Sequence, residues 1–182
     1  VYYSNYNSKI KIKDGKLRIA LIGAGNYAKN IHLPNLKNCS DKAQLYAVCS
    51  RTGYNANEVA KLFNANYSTT SIDEILSDKN IDAVIITTRH NQHANLALQS
   101  LKSGKHVLVE KPLALTQDEI EEIKQFYNET PHGPVLLTGF NRRFSSHLLN
   151  LKELLSNRTN PIIINYQMNA GYIPNDSWDH GI

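Results

Sequence analysis

Two rhythms alternate along this chain. Short apolar runs at residues 17–22 (LRIALI), 45–50 (LYAVCS), 82–87 (DAVIIT), 106–110 (HVLVE) and 135–140 (VLLTGF) lack the strict polar alternation of strands with one wet face. Runs of this kind suit strands covered on both faces. Between them, apolar residues recur at helical spacing: from the first run to about Leu36, over 55–63, over 91–104, from Thr116 to about Asn128, and over 145–155. A short strand is expected at 65–69, and the β-branched run at 161–169 reads as one more. Ser71-x-x-Glu74 and Thr116-x-x-Glu119 have the spacing of capping boxes, and Gly104 is placed as a C-cap.

Regular alternation of strand and helix requires right-handed crossovers, and hence an α/β fold with a doubly wound parallel sheet. Residues 1–16 are polar, aperiodic and rich in Tyr, Asn and Lys, and read as a tail or linker. The core of the fold is expected over 17–145. Residues 146–182 are expected to be a connecting helix and the first strand of a second α/β domain.

Composition narrows this picture only slightly. With 182 residues, 41% apolar and 20% charged, the chain fits one full globular domain and the start of another. No apolar run approaches a membrane span and the start VYYSNYNSK lacks a signal-peptide core, so a cytoplasmic protein without membrane partners is expected. Cys39 and Cys49 have neither disulfide-framework nor metal-ligand spacing and read as structural. The net charge is +4, with Lys and Arg scattered rather than striped, which argues against nucleic acid as a partner.

Candidate chemistry starts at the first turn. Gly23-Ala24-Gly25-Asn26-Tyr27-Ala28 fits G-x-G-x-x-[G/A] between a strand and a helix. Gly23 permits a tight turn, Gly25 lets backbone approach a pyrophosphate, and Ala28 is small enough for the helix to pack on the strand. The helix N-terminus offers unpaired N–H groups to the phosphates. The competing reading is a purely structural turn. An acid is usual near the end of the second strand, but Ser50 and Arg51 stand there. Both can receive a 2′-phosphate, which favours NADP while leaving NAD open. His90 and His93 lie at i, i+3 without a third ligand, so no metal is expected.

Taken in order, G-A-G-N-Y-A, the T-x-x-x-x-H-A beginning at Thr88, G-K-H-V-L-V-E-K-P-L-A and G-F-N-R-R-F resemble the Gfo/Idh/MocA oxidoreductases over residues 17 to about 174. Thr88–His90 and N-A-G-Y-I-P (169–174) are similar to the subgroup linked to a zinc-type dehydrogenase-like domain. The resemblance implies a Rossmann cofactor domain of an NAD- or NADP-dependent dehydrogenase acting on sugars, nucleotide sugars or cyclitols. It places Glu110 and Lys111 at the nicotinamide ribose and the reacting hydroxyl, with Lys111 as the catalytic candidate. Thr87, Thr88 and His93 would line the nicotinamide end of the cofactor, and Asn141 and Arg142 the crevice rim. Arg89 stands where the family often has Pro and puts a cation near the crevice.

The family's second domain supplies a further acid and His for proton transfer. His180 does not match that motif, so these residues are expected to bind dinucleotide with little or no turnover. Residues 162–164, without sheet neighbours, would form an exposed edge favouring a homo-oligomer. The alternative function is a dinucleotide-sensing or partner-binding module, disfavoured by the presence of Glu110-Lys111-Pro112.

Overall fold

The computed structural model describes residues 15–169, Gly171 and Tyr172. Six parallel strands, β1 (Leu17–Ile22), β2 (Ala43–Cys49), β3 (Tyr67–Thr69), β4 (Ala83–Ile86), β5 (His106–Val109) and β6 (Leu136–Thr138), form one sheet in the order β3-β2-β1-β4-β5-β6. The order reverses at β1, whose neighbours are β2 and β4. In an open α/β sheet ligands bind at that reversal, outside the carboxyl ends of the strands.

Four of the apolar runs form the central strands β2, β1, β4 and β5, whereas the run at 135–140 forms the edge strand β6 and leaves Leu137 exposed. Ala20 and Ile22 pack in one core with Val84, Ile86, Val107 and Val109. Ile19 and Leu21 pack in the other with Leu33, Val59 and Ile85. Fully buried side chains such as Leu21, Ile22 and Ile86 each contribute roughly 2 kcal/mol of burial. Along β2 the alternation is interrupted: Ile19 pairs Leu45, yet Ala20 pairs Ala47. The extra residue, Tyr46, is a β-bulge that returns Val48 to the same core as Leu45.

Helices α1 (Leu33–Asn38), α2 (Gly53–Leu62), α4 (His93–Lys102), α5 (Gln117–Glu129) and α6 (Ser146–Leu155) fall where helical spacing placed them, and α3 (Ile72–Ser77) follows the Ser71-x-x-Glu74 capping-box spacing. Thr116 and Glu119 make the complete capping box of α5, and Ser71 caps α3 by accepting the Glu74 N–H. Gly104 ends α4 at φ +80°. One segment departs from expectation. The first helix widens into a π-helical turn at Ala28–His32, where the Leu33 N–H reaches back to the Ala28 carbonyl. Pro34, in the first turn of α1, has no N–H to give the carbonyl four residues earlier, and its ring crowds that carbonyl.

Residues through Asn141 form one compact unit, and those from Arg142 a second. In the second, Ser145 caps α6 by accepting the Leu148 N–H. The strand expected at 161–169 is not formed, and Ile163 is fully exposed. An apolar, β-branched run makes a strand only against a neighbour that pairs its backbone, and among the described residues it has none. The tail through residue 14, Ala170, the N-A-G-Y-I-P residues from 173 and His180 lie outside the described residues. Among the described residues no helix is long and apolar enough to cross a membrane.

Candidate functional site

The turn after β1 contains two glycines with different demands. Gly23 has φ +97°, and a Cβ there would lie 2.8 Å from the Thr87 carbonyl atoms. The loop after β4 therefore packs directly on its backbone. The Thr87 hydroxyl also donates to the Gly23 carbonyl. At Gly25 neither demand applies: its φ is ordinary and a Cβ would meet nothing within 4 Å. The space over Gly25 is open, at the start of the helix that runs through the π turn into α1. Ala28 is fully buried in the core beside Leu21 and Val48, as the small third position of the fingerprint requires. Asn26 and Tyr27 are exposed between them.

Across the crevice, the loops after β4 and β5 are tied by a histidine. His93, at the start of α4, is 1% exposed. Its Nδ1 lies 2.7 Å from the Pro112 carbonyl and its Nε2 3.0 Å from the Thr88 carbonyl. Both nitrogens are taken up by backbone, so His93 braces the loops that carry Thr88 and Lys111 rather than presenting its ring to a ligand. Lys111 follows β5, exposed, with a cis peptide bond to Pro112.

Glu110 is the hub. Its side chain is 12% exposed, and its Oε1 lies 2.7 Å from Nε2 of His32, itself 14% exposed. Oε2 accepts the Lys111 N–H at 3.3 Å. A Cβ at Gly139 would stand 2.8–2.9 Å from the carboxylate atoms, so that position is kept clear for Glu110. Tyr27 packs edge-on to His32 with centroids 5.3 Å apart, and its hydroxyl accepts from Asn141 Nδ2 at 2.8 Å. Burial first, and the Glu110 charge second, push the Tyr27 hydroxyl above its ordinary pKa. Tyr27, Glu110 and Asn141, expected separately, thus belong to one network.

At the far end of the crevice Ser50 Oγ accepts from Asn55 Nδ2 at 3.0 Å, and the same amide donates to the Ala24 carbonyl at 2.9 Å. Asn55, near the start of α2, fastens the glycine turn to the end of β2. Arg51 is exposed beside it. Arg142 belongs to the second unit, where its guanidinium meets the Met168 sulfur. A cavity of about 400 Å³ lies elsewhere, between the end of α2 and β3, and is lined by Lys61, Asn64 and Tyr67 among others. It shares no residue with the crevice.

Sequence reasoning missed His32, Asn55 and Gly139. A polar residue at the start of a helix and a glycine at a strand end are each common, and only tertiary contact reveals their roles. The residues present fit a dinucleotide: open space over Gly25, a helix N-terminus facing it, and a nearly buried carboxylate at the opposite strand end. Burial pushes the Cys49 thiol up to about 11, with Glu74 adding to it, consistent with an inert core residue.

Comparison with known proteins agrees with this geometry. The GFO_IDH_MocA family model, an oxidoreductase family with an NAD-binding Rossmann fold, matches residues 17–133. The chain is 39% identical over 129 residues to 4-carboxy-2-hydroxymuconate-6-semialdehyde dehydrogenase of a Sphingobium species, covering 71% of this chain and 40% of that protein. It is 35% identical over 144 residues to myo-inositol 2-dehydrogenase of Thermotoga maritima, covering 79% and 42%. Among solved structures, scyllo-inositol dehydrogenase of Lactobacillus casei with NAD(H) and scyllo-inositol bound superimposes with TM-score 0.71 at 27% identity, over 78% of this chain and 41% of that one. The WlbA dehydrogenase of Chromobacterium violaceum, with NADH and UDP-GlcNAcA, gives TM-score 0.71 at 27% identity over 80% and 41%. The chain therefore spans about two fifths of the length of these relatives.

Proposed function

Because this chain belongs to the Gfo/Idh/MocA oxidoreductase family and carries its NAD-binding Rossmann domain, we propose that it serves a dehydrogenase acting on a hydroxyl of a sugar, nucleotide sugar or cyclitol. The observation that carries the reading is the crevice itself. The open glycine turn faces the loops after β4 and β5, and Glu110 and Lys111 stand at its far wall.

In this reading the backbone around Gly25 and the helix beginning at Asn26 hold the pyrophosphate. Ser50 and Arg51 hold the adenosine ribose end, with the exposed guanidinium favouring NADP over NAD. Glu110 accepts hydrogen bonds from the nicotinamide ribose, and Thr87, Thr88 and Asn141 border that end. A bound nicotinamide supplies the hydride acceptor or donor. Lys111 meets the reacting hydroxyl and takes its proton as the alcohol is oxidised. His93 sets the spacing of the Thr88 and Lys111 loops.

Titration of the 182 residues with NADH and NADPH, read by nicotinamide fluorescence, tests this. Saturable binding of at least one, tighter for NADPH, is expected, with no steady-state turnover of myo-inositol or UDP-sugars by these residues alone. Failure to bind either nucleotide would sink the reading. Clear preference for NADH would remove Arg51 from it.

A further inference from the structure

Two residues from separate elements are shaped around one carboxylate. A nearly buried carboxylate is costly unless its oxygens are hydrogen-bonded. Glu110 has one oxygen against His32 Nε2 at 2.7 Å and the other against the Lys111 N–H at 3.3 Å. On its remaining side Gly139 leaves room that any Cβ would close to 2.8 Å. Gly139 does not have a positive φ, so the backbone conformation does not demand glycine there. The carboxylate does. His32 comes from the π-widened turn, and Gly139 follows β6, whose N–H is held by the Val109 carbonyl at 2.7 Å. The Tyr27 ring, edge-on to His32 and anchored by Asn141, closes the imidazole's other flank.

Packing alone would not call for a charged hub at the mouth of the crevice. We propose that His32 and Gly139 are positioning residues that fix the direction of the Glu110 carboxylate and so set dinucleotide affinity through it. The inference rests on the ribose-binding role given to Glu110 above. His32 Nε2 donates to Oε1, which restrains the carboxylate's rotation and leaves its outer lone pairs aimed into the crevice. Gly139 admits that rotamer, and a methyl group there displaces it.

The test is a double-mutant cycle on NADH and NADPH affinity, with the fold followed by circular dichroism. His32→Leu and Glu110→Gln are each expected to weaken binding about tenfold or more, the loss of a charge-assisted hydrogen bond. The His32→Leu/Glu110→Gln double variant should bind no worse than Glu110→Gln, because His32 acts only through that carboxylate. His32→Gln, whose amide can donate from a similar place, should recover affinity to within about threefold of wild type. Gly139→Ala perturbs the same carboxylate from the other side and should weaken binding comparably, which keeps the test decisive if His32→Leu fails to fold. Additive losses in the double variant, or a folded Gly139→Ala with unchanged affinity, would overturn the inference. Absence of binding by the wild-type chain would instead overturn the dinucleotide reading on which it rests.

Discussion

Lys105 and Lys111 flank β5 at opposite ends of the sheet, and their surroundings are inverted. Lys105 is 3% exposed, with its ammonium donating to the Asp78 carbonyl at 2.7 Å and the Ile81 carbonyl at 3.2 Å. Burial lowers its pKa from the ordinary lysine value, with Asp78 and Asp82 pulling the other way. Lys111 is exposed, and its backbone N–H donates to the Glu110 carboxylate at 3.3 Å. A perturbed ionisable group is often a sign of function, yet here the perturbed lysine lies at the amino end of the strand, away from the crevice. It is a cap for the turn between α3 and β4. The exposed one stands where an open α/β sheet binds ligands. Location at the carboxyl edge is what supports the role proposed for Lys111, where burial by itself would point to Lys105.

The largest expected contrast between the two is in stability. Lys105→Met takes the ammonium from the Ile81 carbonyl and leaves the Asp78 carbonyl with only the Ile81 N–H, and is expected to lower the unfolding free energy by about 2 kcal/mol. Lys111→Met removes an exposed charge and should change it by no more than about 0.5 kcal/mol. Urea unfolding of both variants checks this, and equal losses would erase the contrast.

A smaller effect distinguishes them by pH. Lys105 has a folded-state pKa below its unfolded one, so between those values the unfolded chain binds more protons. Wild-type stability relative to Lys105→Met should therefore rise as pH increases through that window towards the ordinary lysine pKa of about 10.4. Tyr27 and Tyr67, whose hydroxyls are pushed upward, act oppositely at the alkaline end, and subtracting the variant removes their contribution. Lys111→Met should show no such slope. Parallel curves for wild type and Lys105→Met would contradict the assignment of Lys105.

The two ends of β5 also show what was legible in the chain. Strands and their order of appearance were readable because the apolar runs of the inner strands are covered on both faces, and periodicity reports burial; β6, at the edge, was readable from its apolar run although Leu137 is exposed. The capping box at Thr116 and the C-cap at Gly104 were readable because their partners lie within a few residues. The glycine turn and the Glu110-Lys111-Pro112 stretch were readable as motifs. The carboxylate's partners were not. His32 and Glu110 are 78 residues apart, and Gly139 meets Glu110 only because β5 and β6 pair. The π turn escaped for a different reason, since apolar spacing to about Leu36 does not separate a widened turn from a regular one. The bulge at Tyr46 is invisible to alternation because it resets the alternation. Residues 161–169 failed in the opposite direction: the strand propensity is present, but pairing is a property of neighbours.

The central claim is that the space over Gly25 is where a dinucleotide pyrophosphate lies. Gly25→Val tests it most directly, because the added side chain meets nothing of the protein within 4 Å at its Cβ. The variant is expected to fold with stability within about 1 kcal/mol of wild type, and to lose NADH and NADPH affinity by at least about a hundredfold in a fluorescence titration. A folded Gly25→Val chain that binds either nucleotide as tightly as wild type would contradict the account.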